Sequence, residues 1–389
     1  MAIQEFVPEF VPGAKIKVVG VWGAWCNTIN RMIQEWLEGV EFIAINTDAQ
    51  ALANNLAEKK INIGLNITRG LGAWANPEIW RKAAEENIEE IKKALQDADM
   101  VFITAWMGGW TWTGAAPVIA QAAKEMGILT VAVVTKPFSF EWKRRMQNAI
   151  EGLQRLKEGV DTMIVIPNDK IFNIIDKKTT FKQAFQMIDK ILHLGVQWIS
   201  DLIVKPGDIN IDFADIKVIM ENSGTALLGI WYGEWENRAV DAARRAIDNP
   251  LLEARLEGAK NIIFAVTGWD DLTPIEVQEA ARVVEEIADE DANIIWWMTF
   301  DPSYEWEVKV TIIATGFPEV TQEEIIKWKA NTWWLWMFWQ RITSRKSKWE
   351  DFVNRAIKKE WLDNKVQTFL SVDEEDDDTP AFIKRKLRS

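Results

Sequence analysis

Cysteine and histidine are almost missing from this chain, with one of each, Cys26 and His193, in 389 residues. A lone cysteine closes no disulfide within the chain and builds no cysteine-based zinc site, and it fits a reducing compartment. A lone histidine would have to centre any Ser-His-Asp or Cys-His mechanism. His193 sits in a helical stretch with no nucleophile motif beside it, so it reads as structural. No run of about 18 apolar residues exists, so no membrane span is expected, and the aromatic run 333–339 is too short to be one. Residues 1–12 lack a basic stretch followed by an apolar one, so no signal peptide is expected. Positive charge is in deficit: 45 Lys and Arg face 58 Asp and Glu, a net charge of −13. That balance argues against a general nucleic-acid binder, which needs a basic stripe to neutralise phosphates. Tyrosine is scarce too, with 2 residues against 23 tryptophans.

The length suffices for two domains and a tail. Hydrophobic and charged fractions of 48% and 26% are those of a globular protein. Apolar runs at residues 15–20 (KIKVVG), 41–46, 100–104, 128–135 and 162–166 read as buried strands. Helical patterns at 27–37, 77–95 and 115–126 alternate with them. Such alternation predicts a parallel sheet covered on both faces, with ligands at the carboxyl ends of its strands. One long amphipathic helix is predicted over 180–202, then a loop over 204–215. Strands at 261–266, 292–299 and 307–314, with helices at 234–249 and 274–289, predict a smaller α/β unit joined through the long helix. The expected division is an N-terminal extension (1–14), a nucleotide-binding domain (15–180), a central helix (181–203), a second domain (204–318), a linker (319–372) and a tail (373–389). The tail runs from an acidic block, DEEDDD, through TPAFI to a basic end. Such charge blocks are usually solvated until a partner orders them.

Three small-residue loops follow strands of the first unit: GVWGAWCN (20–27), GLGAWANP (70–77) and GGWTWTG (108–114). A small-residue loop running into a helix N-terminus offers backbone N–H groups and a favourable dipole to phosphate. One such loop is weak support, and three after successive strands are stronger. No Walker A lysine is present, so the chain is not a P-loop enzyme. The first loop is not a clean G-x-G-x-x-G either. A dinucleotide oxidoreductase also lacks its strand-end acidic residue and any hydride-transfer constellation here.

GGWTWTG resembles the tubulin signature GGGTGTG with two glycines changed. NTDAQAL (46–52), TRGLGA (68–73), VIPNDK (165–170), INIDFADIK (209–217), IATGF (313–317) and the tail DDDTPAFIKRK are similar to segments of the FtsZ family of tubulin-like GTPases. The resemblance covers about residues 15–317 plus the tail. It implies a tubulin-like fold: a Rossmann-type GTPase domain joined by a long helix to a smaller α/β domain. It implies that Gly23, Ala24, Trp25, Cys26 and Asn27, with Ala73, Gly108, Gly109, Trp110, Thr111, Trp112 and Thr113, surround the GTP or GDP phosphates, Asn27 also reaching guanine. Glu141 and Arg145 would contact ribose and phosphates, with Asn168 in the same site. Phe185 would pack on the base, and Asp189 would accept the guanine N1 and N2 hydrogens. A carboxylate is acceptor-only and matches two parallel donors, so that pairing favours guanine over adenine. Asp212 and Asp215 would act on the nucleotide of the neighbouring subunit. Asp215 is the better candidate to orient water, and Mg²⁺ would be held through the phosphates rather than by a protein ligand set. From spacing alone, INIDFADIK could equally cap a helix.

The resemblance also implies a cytoplasmic protein at the division site that polymerises head to tail. Its tail segment Pro380, Ala381, Phe382 and Ile383 would dock membrane-tethering division proteins, with no nucleic acid and no direct membrane insertion. From its residues alone the tail could also be a plain solubilising terminus.

Tryptophan is the anomaly. Of 16 tryptophans before Phe317, 14 stand where the family pattern has glycine: Trp22, Trp25, Trp36, Trp74, Trp80, Trp106, Trp110, Trp112, Trp142, Trp198, Trp231, Trp235, Trp269 and Trp297. Trp296 fits an aromatic position, and Trp306 is left open. Glycine serves where φ is positive or the backbone must touch a ligand, and a Cβ is penalised in both. Fourteen such changes at about 1–3 kcal/mol each would exceed a domain's stability of roughly 5–15 kcal/mol. Drift does not send glycine to one residue type so often. A gene that uses UGA for glycine, translated with a table that reads UGA as tryptophan, gives this pattern. The run NTWWLWMFWQ then becomes NTGGLGMFGQ, a flexible linker. The alternative is a true Trp-rich paralogue, a non-hydrolysing scaffold with blocked phosphate loops.

Overall fold

Ten strands form one sheet in the order β3-β2-β1-β4-β5-β6-β7-β10-β8-β9 in the computed structural model. The structure describes residues 13–21, 28–35, 37, 39–71, 77–141, 143–173, 175, 179–204, 212–249 and 256–317. The expected linker and tail, with Pro380, Ala381, Phe382 and Ile383, lie outside them.

The elements in chain order are β1 (Ile16–Val21), α1 (Thr28–Gln34), β2 (Val40–Asn46), α2 (Ala49–Ala53), β3 (Lys59–Asn62), α3 (Leu65–Thr68), α4 (Pro77–Glu86) and α5 (Ile88–Leu95). β4 (Met100–Trp106), α6 (Trp110–Glu125), β5 (Leu129–Lys136), α7 (Lys143–Gly159), β6 (Thr162–Pro167) and α8 (Phe181–Val204) follow. The second half holds α9 (Phe213–Met220), β7 (Gly224–Glu234), α10 (Arg238–Ile247), β8 (Asn261–Gly268), α11 (Pro274–Glu285), β9 (Asn293–Phe300) and β10 (Glu307–Thr315). The seven strands from β3 to β7 pair in parallel. Every residue of β1 is buried, as a strand covered by helices on both faces requires.

β7 joins the two halves of the sheet. Its first residues pair in parallel with β6, and the rest runs antiparallel to β10, which is antiparallel to β8. A second apolar core, built on Phe264, Val266, Val310 and Ile312, lies between these strands and α10 and α11. α10 presses so closely on β7 that a Cβ at Gly233 would sit 1.7 Å from the Arg238 carbonyl oxygen. The Arg238 guanidinium is buried and bonds Asp271 and Glu276, tying α10 to the start of α11. Thr273 and Glu276 close a capping box there, with Pro274 opening the helix.

Several expectations are corrected. The helix expected over 77–95 is two, because the Asn87 side chain turns away to accept the Gly64 N–H. The loop expected over 108–114 is already α-helical from Trp110. β3, β7, α2, α3 and α7 have no counterpart among the expected elements, and α9 answers to the alternative in which INIDFADIK caps a helix.

Candidate functional site

The carboxyl edge of the parallel strands gathers most of the expected site residues. At the end of β4 the chain turns through Gly108, with φ +90°, into α6. A Cβ at Gly108 would lie 2.8 Å from the Arg145 carbonyl oxygen and 2.9 Å from Pro137 Cγ, so only glycine fits. Gly109 is extended and stands at the N-cap of α6. A helix starting there turns the positive end of its dipole to that edge, a favourable place for an anion. For Trp110, Thr111, Trp112 and Thr113 only the helical backbone is described. Gly23, Ala24, Trp25, Cys26, Asn27 and Ala73 lie outside the described residues.

Past β5, the Phe138 N–H donates to Glu141 Oε1 at 3.0 Å, and Glu141 pairs with Arg145 one turn into α7. The Ser139 N–H donates to Asp169 Oδ1 at 2.9 Å, tying this turn to the 3₁₀ segment Asn168–Asn173 at the end of β6. Asn168 is 1% exposed, and neither end of its side-chain amide has a protein partner. The hydroxyls of Thr104 and Thr135, at the ends of β4 and β5, are unpartnered as well. Buried polar groups are nearly always satisfied, so this set asks for a polar ligand or ordered water.

The first turns of α8 bring in the last two residues. Phe185 stacks on Trp106 at 5.4 Å and meets Phe138 edge-on at 5.6 Å. Asp189, one turn on, accepts from Thr28 Oγ1 at 2.6 Å through Oδ1 and pairs with Arg31 Nη1 at 3.3 Å through Oδ2. Burial pushes the Asp189 carboxyl up, while the Thr28 hydrogen bond and the Arg31 charge pull it down. Further along α8, burial pushes the His193 imidazole down to about 4. His193 faces Glu35 of the same cluster at 3.9 Å, away from any nucleophile constellation.

Asp212 and Asp215 are not part of this gathering. α8 carries 24 residues, so it spans about 36 Å away from the carboxyl edge. Asp212 is the N-cap of α9 and Asp215 lies in its first turn, and both are exposed. α9 ends at the amino edge, where the Thr162 hydroxyl, at the start of β6, donates to the Met220 carbonyl. The two carboxylates stand three residues apart at the start of α9, and the helix that leads towards them, α8, ends with Val204 against Gly39 at the amino edge, just before β2. Among the described residues no group of three or more His, Cys, Asp or Glu converges on a possible metal position.

Some of the tryptophans at glycine positions are ill at ease, whereas Trp80, Trp231 and Trp269 show neither a positive φ nor a stranded indole N–H. Trp235 and Trp306 adopt φ +68° and +64°, the left-handed region that a bulky side chain avoids. The buried indole N–H groups of Trp106, Trp198 and Trp297 have no acceptor. Trp296 has none of these faults, and Trp306 joins the glycine-like positions.

Thr28, Arg31, Phe138 and the unpartnered hydroxyls of Thr104 and Thr135 have no signal in the sequence that points to the site. Thr28 directly follows the first loop, but its partner is 161 residues away and no local pattern points to it.

Two family descriptions match the chain: "Tubulin/FtsZ family, GTPase domain" over residues 15–176 and "FtsZ family, C-terminal domain" over residues 224–318. The FtsZ dimer of M. jannaschii in its empty form is 49% identical, with a TM-score of 0.72, over 78% of this chain and 88% of that one. CetZ1 from Haloferax volcanii, a GDP-bound monomer, is 20% identical with a TM-score of 0.67, over 81% of this chain and 99% of that one. CetZ2 from the same organism, a GTPγS-bound protofilament, is 17% identical with a TM-score of 0.66, over 87% of this chain and 98% of that one. At these identities the last two speak for the fold alone.

Proposed function

The chain belongs to the tubulin/FtsZ family, and from that premise we propose that it forms the division-ring filament and hydrolyses GTP where two subunits meet. The observation that supports this reading is the course of α8 from the carboxyl edge to the amino edge. Gly108, Asn168 and Asp189 gather at the carboxyl edge, whereas α8, which leads on towards Asp212 and Asp215, ends with Val204 beside Gly39 at the amino edge. A subunit built this way has acids out of reach of its own nucleotide, and a head-to-tail neighbour would supply them. Such a contact does not close, so it propagates into a filament.

In that contact the carboxyl edge binds GTP, with α6 turned to the phosphates and Asp189 to the base. Asp215 orients the attacking water, and Asp212 supports it. Mg²⁺ bound to the phosphates supplies charge neutralisation. The protein is cytoplasmic at the division site, and its tail segment 380–383 docks membrane-tethering division proteins. No helix among the described residues is long and apolar enough to cross a membrane.

The functional chain carries glycine at the fourteen positions given above and at Trp306. One observation favours the rival, a non-hydrolysing scaffold, if the tryptophans are literal: the Trp106 indole covers the ring of Phe185, where a base would stack.

GTP turnover against protein concentration tests the proposal, using the full chain with those fifteen glycines and the chain as written. The glycine form should turn over GTP steeply more per subunit as concentration rises. Asp215→Ala in that form should bind GTP, fail to hydrolyse it and suppress turnover in mixtures. Turnover that ignores concentration, or an Asp215→Ala chain as active as its parent, would refute it.

A further inference from the structure

The base-reading end of the site is held from an unexpected direction. Thr28 is fully buried at the first position of α1, and its hydroxyl donates to Asp189 Oδ1 at 2.6 Å. Arg31, three residues on and so on the same helix face, reaches the other oxygen, Oδ2, at 3.3 Å. Arg31 is itself fixed to α8, because its Nη1 also donates to the Gln186 carbonyl at 3.2 Å. Each oxygen of Asp189 thus has one partner from α1. A carboxylate has about four lone-pair directions. Thr28 takes one of these directions on Oδ1, and the Arg31 charge lies against Oδ2 as an ion pair rather than a hydrogen bond, so each oxygen keeps an acceptor direction. Two parallel acceptors are what the N1–H and N2–H pair of guanine needs.

We propose that Thr28, seconded by Arg31, is a positioning residue for nucleobase selection: it sets the plane of the Asp189 carboxylate so that both oxygens meet the guanine edge together. This rests on the reading of Asp189 as the guanine acceptor. The other charged groups packed here are Glu35, just past the end of α1, and Lys190 on α8, and neither takes over the role. The Lys190 ammonium is coupled to Glu35 rather than to Asp189. Burial drives Asp189 towards its protonated form, in which one oxygen becomes a donor and repels the guanine edge. Thr28 and Arg31 are the two groups that oppose this. The same hydroxyl therefore fixes both the direction and the acceptor character of the carboxylate.

The test uses the full chain in its glycine form, with GDP, IDP and XDP competing against a fluorescent GDP. Inosine keeps N1–H and lacks the 2-amino group, so the GDP/IDP ratio reports whether both oxygens are engaged. Thr28→Val keeps the shape and removes the hydroxyl. It should weaken GDP about tenfold and bring the GDP/IDP ratio close to one, on the scale of one lost charge-assisted hydrogen bond. Thr28→Ser should keep both within about twofold, since its hydroxyl can reach the same oxygen. Arg31→Gln should lower the same ratio with Thr28 intact, which keeps the proposal testable if Thr28→Val does not fold. Asp189→Asn presents donors and should exchange GDP for XDP. If it does so while Thr28→Val and Arg31→Gln leave the GDP/IDP ratio unchanged, the positioning proposal falls and the base assignment stands. If GDP and IDP weaken equally in Thr28→Val and Thr28→Ser, the role is merely structural and the proposal falls as well. An Asp189→Asn chain that keeps its GDP preference removes the base assignment itself.

Discussion

Trp235→Gly and Trp306→Gly, made in the chain as written, should stabilise it, which is unusual for removing two large aromatic residues. Glu234 and Glu307 are register partners, so Trp235 and Trp306 leave the β7–β10 ladder at the same end. Both do so in left-handed conformation, at φ +68° and +64°. That conformation costs an L-residue about 1–2 kcal/mol, and glycine nothing comparable. The opposing term is lost burial. Trp235 is 80% exposed, close to what a realistic unfolded chain exposes, so its indole contributes almost nothing. Trp306 is 67% exposed, and the extra covered area is worth about 0.5 kcal/mol. The net expectation is a gain of about 1 kcal/mol at 235 and slightly less at 306, an upward shift of about 2–4 °C each in a thermal scan. As neighbours the two should not add fully. Trp296→Gly is the control. Trp296 lies in the interior of β9 with no positive φ and 47% exposed, so glycine there should cost about 1–2 kcal/mol. Equal signs for all three variants would refute the argument from backbone conformation.

Two further outcomes are expected. Mass spectrometry of the native protein's peptide containing residues 108–114 should give glycine masses at 110 and 112, whereas tryptophan masses there would establish the scaffold reading. His193 is the sole histidine, so its NMR titration is unambiguous. With its folded value pushed from 6.5 down to about 4 by burial, the imidazole should stay neutral from pH 8 to 5. The unfolded chain then binds the extra proton between those values, so stability is complete above about pH 6.5 and falls as pH drops, by up to about 3 kcal/mol near pH 4. A titration midpoint near 6.5 would contradict this.

The parallel half of the sheet was legible because its strands are buried on both faces and read as continuous apolar runs, as in β1 and β4. β7 was not, because Gly229, Trp231 and Gly233 interrupt its pattern. Those glycines answer to packing rather than to a turn: a Cβ at Gly229 would stand 2.1 Å from the Ala246 carbonyl oxygen on α10. A glycine inside a strand usually signals a bulge or close backbone approach, and one sequence does not say which. α7 was hidden by its basic start, KRR, which was read only for its ligand contacts. In the site, residue types were legible and pairings were not. A carboxylate at 189 was visible, but its two supports on α1 lie 161 and 158 residues earlier in sequence and meet it only once α1 packs against α8.

The tryptophans bear on function through the same physics that places them. A literal indole at 106 fills the face of Phe185 and leaves its own N–H buried without an acceptor. Burying a donor this way costs about 1–3 kcal/mol, and a natural core rarely tolerates it. Glycine at 106 removes the orphan donor and bares the aromatic face in one step. The same holds at 198 and 297, where the indole N–H is also stranded, and at 235 and 306, where the backbone has already taken a glycine conformation. Five described positions therefore object to tryptophan for two unrelated reasons, one of hydrogen bonding and one of backbone geometry. Trp296, the residue the sequence pattern accepts as aromatic, objects on neither count. A paralogue selected to carry tryptophan would have acquired acceptors for its buried indoles, and those at 106, 198 and 297 have none.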